Sequence, residues 1–380
     1  MALWNAGFRP FFLFAAIFSA VAISCWVAQF AGWTGTHMVV AGPLWHAHEM
    51  IFGYAFAVIT GFLFTAVRNW TNAPTPTGRT LALIAGLWLA GRILVLTPWP
   101  VYAAVTDTAF ALAVGVGIGV PLFTSRNRRN YFFVGLMVAL GAVNLGFYLA
   151  MAGWIHVAVE RGLRFGIDLI LFLMVVMGGR IIPMFTANAV PGAKLLRFRW
   201  LERIAFGSVL ALLATDLLGA SAIATALAAG ISAVAHGARL ALWQPWLTIR
   251  RPILWILHVS YAWIAVYLVL RVLAAMDLVP ISLAIHALTV GAIGGLTAGM
   301  MTRTARGHTG RPLEAGKLEV ACYALVQFAA IVRVFFPLFV PQWYSGAVVA
   351  SGALWAAAFI LLVVKFCPML LNSRVDGRSG

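Results

Sequence analysis

Residues 44–66 read Leu-Trp-His-Ala-His-Glu-Met-Ile-Phe-Gly-Tyr-Ala-Phe-Ala-Val-Ile-Thr-Gly-Phe-Leu-Phe-Thr-Ala, and no residue from Met50 to Ala66 carries a charge. About 20 apolar residues suffice for a helix to cross a bilayer, so this stretch reads as a transmembrane span. The whole chain extends the pattern. Its 380 residues are 63% hydrophobic and 9% charged, where a soluble chain carries roughly 25% charged and 45–50% apolar residues. Mean hydropathy is +0.97. Twelve spans of about 20 residues would use roughly 240 positions, which leaves short loops and no room for a sizeable soluble domain. The expected fold is therefore an all-α integral membrane protein forming one polytopic domain over residues 1–380.

Apolar runs separated by Pro, Gly, Asn or charge clusters place the spans near 8–31, 44–66, 79–97, 99–121, 130–152, 162–185, 201–218, 221–243, 252–275, 279–302, 316–337 and 343–367. The shortest are 79–97 and 201–218. The first run is long enough to span and lacks a cleavage pattern, so it reads as a helix and not as a removed signal peptide.

The net charge is +16, a balance that in a soluble chain would suggest nucleic acid. Here the basic residues punctuate apolar runs, so no nucleic-acid partner is expected. Alternate loops and the tail hold Arg68 and Arg79; Arg126, Arg128 and Arg129; Lys194, Arg197, Arg199 and Arg203; Arg250 and Arg251; Arg303, Arg306, Arg311 and Lys317; and Lys365, Arg374 and Arg378. The opposite loops hold little besides Arg161 and the nearby Arg164. The positive-inside rule then puts both termini in the cytoplasm. No strong internal repeat stands out, which leaves a six-plus-six arrangement open. Cys25, Cys322 and Cys367 form no CxxC or CxxCH, so neither a cysteine zinc site nor a covalent c-type haem is indicated.

Ionisable groups inside a bilayer are costly and mark functional candidates. His37 and His156 fall in outer loops. His46 and His48 open the second span, about 200° apart around the helix, so they suit two centres on opposite faces better than one ion. His286, seven residues into span ten, lies roughly 10 Å below the outer surface. His236 and His258 sit on consecutive antiparallel spans at a depth of roughly 9–10 Å from the inner side, and His308 lies just beyond span ten on that same side. Three His suit copper, and a facing pair suits a b-type haem; spacing alone does not choose the metal. Glu49 is a candidate to orient a ligand or pass protons. Arg92, Arg271 and Arg333 near outer span ends are candidates for haem propionates, against plain snorkelling. Gly178-Gly179-Arg180 with Pro183 is expected to break span six, placing Arg180 as a partner for a propionate or quinone oxygen. Tyr261, one turn from His258, reads as a hydrogen-bond donor or as packing.

Several segments together resemble the NnrS family: Gly7-Phe8-Arg9-Pro10-Phe11-Phe12, Trp45-His46-Ala47-His48-Glu49-Met50, Gly61-Phe62-Leu63 with Asn69-Trp70, and Gly178-Gly179-Arg180 with Pro183. His236 with Arg239 and Trp243, Leu257-His258 with Tyr261, His286-Ala287-Leu288-Thr289-Val290-Gly291, and Gly307-His308-Thr309-Gly310-Arg311 continue the pattern in order. The resemblance covers nearly the whole chain. It implies a twelve-span bacterial inner-membrane protein holding haem and copper, associated with denitrification and nitric oxide resistance. The His-x-His element also looks like that of haem-copper oxidases and nitric oxide reductases, an analogy of spacing only. Carried onto this sequence, His46 or His48 with His286 would hold one haem b. His236, His258 and His308 would hold copper or a second haem, while Glu49 and Tyr261 would serve the chemistry. The expected activity is reduction of nitric oxide to nitrous oxide with electrons from membrane quinol, since neither a c-type haem nor a soluble domain is present. Two rivals stay open: a haem protein that binds nitric oxide without turnover, and a twelve-span metal transporter, which would place its polar groups nearer the midplane.

Overall fold

The computed structural model describes residues 2–35 and 42–377, so His37 and Arg378 lie outside the described residues. Among these residues the regular structure is wholly helical. Ten helical runs are long and apolar enough to cross a membrane: α1 (Phe8–Phe30), α2 (Pro43–Thr71), α4 (Pro100–Thr124), α5 (Arg128–Met151), α6 (Val159–Ala189), α8 (Ala222–Leu242), α9 (Pro252–Ala275), α10 (Ile281–His308), α11 (Lys317–Phe339) and α12 (Pro341–Leu371). Two shorter rods, α3 (Gly78–Leu94) and α7 (Arg199–Leu218), stand where the shortest spans were expected. Local chemistry sets the ends. Pro43, Pro100 and Pro252 occupy first helical turns, where a missing N–H costs nothing. Asn72 and Gly219 close α2 and α7 in the left-handed conformation.

Two expectations need correcting. The Gly178-Gly179-Arg180 segment does not break its helix, because α6 runs through Pro183 to Ala189. A single proline removes one hydrogen bond, and the surrounding turns hold. His308 does not lie beyond its span either: it is the last residue of α10, which stops just before Gly310 at φ +77°.

The chain forms two compact units. Unit 1 takes the described residues of Met1–Gly166, Thr304–Pro312 and Leu362–Gly380; unit 2 takes Ile167–Arg303 and Leu313–Leu361. Each contains one interrupted helix. In α2 the α-helix of Pro43–His48 gives way to π-helical turns over Glu49–Ala55. In α10 the segment Ile281–His286 gives way to π-helical turns over Ala287–Gly294. Such turns gather at functional sites, and here each begins directly after a histidine.

The correspondence runs further. At one constant offset His48 matches His286, Gly53 matches Gly291, Gly61 matches Gly299, Arg68 matches Arg306, Thr71 matches Thr309 and Pro74 matches Pro312. Asn72 and Gly310, matched by the same offset, both have positive φ. A Cβ on Gly53 would lie 2.4 Å from the Phe18 ring of α1, and one on Gly291 would lie 2.4 Å from the Trp263 ring of α9. One design of helix pair, α1 with α2 and α9 with α10, is thus built twice, and the expectation of no strong repeat gives way to it. In a bilayer, where lipid is as apolar as a side chain, such close approach supplies the packing that holds helices together.

Candidate functional site

In unit 1 the interruption of α2 turns His48 and Glu49 inward to meet α3, α4 and α5. His48 Nδ1 lies 2.8 Å from Glu49 Oε1 and its Nε2 lies 2.8 Å from Asn144 Oδ1. The carboxylate only accepts, so Nδ1 donates to Glu49, and Nε2 faces the amide of Asn144. Arg92 donates to Glu49 Oε1 at 2.7 Å and also to Asp107, which accepts from the Tyr148 hydroxyl at 2.8 Å. None of these six side chains is more than 5% exposed. Two carboxylates face one guanidinium, and His48 bridges Glu49 to Asn144. Buried ions persist only when paired and hydrogen-bonded in this way. Two atoms stay unsatisfied: Glu49 Oε2 and Arg92 Nε are buried with no hydrogen-bond partner. Trp88 Nε1 donates to Gly53 O at 2.9 Å, satisfying one carbonyl inside the π-helical stretch.

In unit 2 a second network joins α6, α7, α8 and α9. Arg239 grips Glu202 with two bonds, Nε to Oε1 at 2.9 Å and Nη2 to Oε2 at 2.6 Å, and sends Nη1 to the Tyr261 hydroxyl at 2.9 Å. Gly179 makes room for it, since a Cβ there would fall 1.6 Å from Arg239 Nη2. The Gly-Gly pair is therefore a seat for Arg239 and Tyr261. Tyr261 lies 2.7 Å from His236 Nδ1. Arginine only donates, and the phenolic oxygen that accepts from it still has its own proton to give; with that proton directed at His236 Nδ1, the imidazole proton sits on Nε2. That Nε2 is buried without a hydrogen bond of normal geometry, although the Ala205 backbone is close enough to influence it. His258 Nε2 lies 2.9 Å from Thr186 Oγ1, and its Nδ1 is buried with no partner.

His286, also in unit 2, has Nδ1 2.6 Å from Ser282 O. A carbonyl only accepts, so Nδ1 carries the proton and the lone pair falls on Nε2. A ring held by Nδ1–H on a backbone carbonyl is a recurring support for a metal-ligating histidine.

The remaining candidates are placed as follows. His46 stacks on Trp26, with centroids 5.0 Å apart and planes 15° apart. His48 has both nitrogens engaged, which leaves neither for a metal in this arrangement. His308 packs on Phe8 at 5.5 Å in unit 1. Arg92 pairs with its two carboxylates, Arg271 with Asp216 at 2.6 and 2.8 Å, and Arg333 donates to the Tyr344 hydroxyl at 3.5 Å; each of the three keeps one buried nitrogen without a partner. Arg180 is half-buried on α6. Among the described residues no three His, Cys, Asp or Glu side chains gather as a ligand cluster. Asp107, Asn144, Tyr148, Glu202 and Thr186 were not anticipated. A lone Asp in an apolar span was the available signal for the first.

These features define a multi-pass helical membrane protein with ionisable networks buried in both of its units. Residues 2–374 match the family model described as NnrS protein, and the chain belongs to the NnrS family. Membership links it to nitric oxide. No curated protein matches the chain at a significant level.

Proposed function

We propose that this chain is a haem-copper protein of the bacterial cytoplasmic membrane that reduces nitric oxide, two NO with two electrons and two protons giving N2O and water, with quinol as the electron source. The observation that carries the reading is the state of the unit 2 imidazoles. His258 Nδ1 is a bare, buried nitrogen without a partner. An apolar interior does not leave such an atom unsatisfied without cause, and a neutral imidazole nitrogen is a metal ligand in waiting. Each imidazole offers one nitrogen to a metal: His258 through Nδ1 would be a copper ligand and His286 through Nε2 a haem-iron ligand, with His46 the further haem candidate. Among the described residues no three such groups gather into a ligand cluster.

When bound, the haem and copper supply the electron transfer and the affinity for nitric oxide. The chain's own groups do the rest. His236 keeps an N–H on Nε2 that can donate to the oxygen of a small ligand. Tyr261, fixed by Arg239, holds that tautomer in place. In unit 1 Glu49 Oε2 is a buried acceptor in a hydrogen-bonded network with His48 and Arg92, suited to taking up a proton and passing it on. Nitric oxide is small and apolar, so it enters from the lipid and needs no polar channel.

The test is turnover by the purified, metal-loaded protein. With a reduced quinol analogue it is expected to consume nitric oxide continuously and release one N2O per two NO. A single burst of uptake equal to the protein present, with haem and copper intact, would instead make it a nitric oxide binder. A colourless, metal-free protein would favour the transporter.

A further inference from the structure

At one end of unit 1 a cavity of about 150 Å³ is lined by Gly7, Arg68, Asn69, Thr75, His308 and Arg374, among others, with no carboxylate in its wall. Its surroundings carry more positive charge than the protein neutralises. Arg9, two residues from Gly7, is fully buried. Its Nη1 donates to the backbone oxygens of Leu370 and Asn372 at 2.9 and 2.8 Å, while Nε and Nη2 have no partner. Arg374 and Arg311 are near enough to repel it. Arg311 likewise keeps a buried Nη1 without a partner. Among the described residues the one ion pair the structure shows for Arg9, Arg68, Arg311 and Arg374 is that of Arg374 with Asp376, through bonds of 2.8 and 2.6 Å. Among the described residues, one carboxylate thus pairs with one of the four guanidinium groups.

A buried, uncompensated charge is among the costliest arrangements in a fold, and positive-inside orientation does not require one, since exposed arginines serve that purpose. An anion in the cavity removes the imbalance. Guanidinium forks match the oxygens of a phosphate with paired, charge-assisted hydrogen bonds, and Asn69 and Thr75 add neutral polar groups at the same wall. The volume suits one phosphate group and little more.

We propose that this cavity binds a single phosphate group, with Arg68 and Arg374 at its wall and Arg9 and Arg311 providing the field behind it. The group has two sources: the headgroup of an anionic phospholipid, or a free phosphate from solution.

The experiment measures thermal unfolding of the full-length, metal-loaded protein in detergent after lipid removal. Sodium phosphate is titrated at constant ionic strength with chloride as the balancing anion. Wild type is expected to show a saturable rise in midpoint. Arg68→Gln, at an exposed position, should require about tenfold more phosphate, and Arg68→Lys should fall between, since a point charge replaces a fork. The same titration in nanodiscs of phosphatidylglycerol, against phosphatidylcholine, separates the sources. If phosphatidylglycerol raises the midpoint and abolishes the response to phosphate, the occupant is a lipid headgroup; if the response persists there, it is free phosphate. Absence of a saturable effect from either phosphate or phosphatidylglycerol, or an Arg68→Gln response equal to wild type, overturns the proposal.

Discussion

Thr186 Oγ1 lies 2.9 Å from Ile182 O and 2.9 Å from His258 Nε2, and the hydroxyl has one proton for the two contacts. The carbonyl cannot donate, so the threonine gives its proton to Ile182 and accepts from the imidazole. His258 is thereby locked with its lone pair on Nδ1. A threonine on α6 thus decides which nitrogen of a histidine on α9 is open to a metal.

If that lock serves a metal, His258→Ala removes copper from the purified protein. Thr186→Val, which keeps shape and deletes the acceptor, weakens copper affinity by about 10- to 100-fold, the usual effect of losing a supporting hydrogen bond behind a ligand. Competition against a chelator of known affinity reads both. Equal copper retention in wild type and His258→Ala would remove the metal from this site.

His286 carries the parallel argument for haem. Its Nδ1 is held by the backbone oxygen of Ser282, so the side chain at 282 has no part in fixing the tautomer. His286→Ala is expected to abolish the haem absorbance in a reduced-minus-oxidised spectrum, and Ser282→Ala to leave it within error of wild type. A spectrum unchanged in His286→Ala would move the ligand to His46.

The Arg239–Glu202 pair is a stability element with a sign that can be checked. Glu202→Ala strands a guanidinium that is almost wholly buried, a change that costs about 3–5 kcal/mol when one partner of a buried pair is removed. The double variant Arg239→Met with Glu202→Leu removes both charges and is expected to recover most of the loss. Denaturant unfolding of the two proteins, compared with wild type, reads the difference.

Much of this was legible in the residues and some was not. Helix positions followed from hydropathy, because a bilayer tolerates no unpaired backbone and leaves little choice but helix. The histidines stood out because charge is rare in such segments. What could not be read was which nitrogen each ring offers, since that depends on partners such as Thr186 and Asn144 that are distant in sequence. Gly178 and Gly179 looked like a break, yet a glycine pair reads the same whether a helix bends there or a neighbour's guanidinium settles against it. The repeat was present in the sequence as glycines and a histidine at matched spacing. It became evident only when the two π-helical stretches marked where the copies align.

If Glu49 relays protons as proposed, its substitution separates catalysis from binding. Its Oε2 is the buried acceptor of the unit 1 network, and Glu49→Gln keeps the size and one hydrogen-bonding oxygen while removing the ability to hold a proton. Turnover of nitric oxide should fall by about 100-fold or more, the contribution of a positioned acid–base group, while the nitrosyl spectrum of the reduced protein stays the same. Stopped-flow nitric oxide consumption beside static spectra makes the comparison. Undiminished turnover would leave Glu49 a structural carboxylate.

The duplicated helix pair predicts matched responses at matched positions. Gly53→Ala would push a Cβ against Phe18, and Gly291→Ala would push one against Trp263, each from 2.4 Å. Trp263 meets the new Cβ at the root of its side chain, Phe18 meets it with the ring tip while Arg92 Nη1 lies 3.1 Å away, and each substitution is expected to destabilise by about 1–3 kcal/mol, the usual cost of overpacking. Gly135→Ala is the control, because a Cβ at that position meets nothing within 4 Å and alanine is the better helix former. Thermal midpoints of the three variants decide the matter: two losses of similar size beside an unchanged or raised control mean that both copies rely on the same contact. A loss at Gly53 with none at Gly291 would mean that the copies share geometry but no longer share the packing that stabilises it.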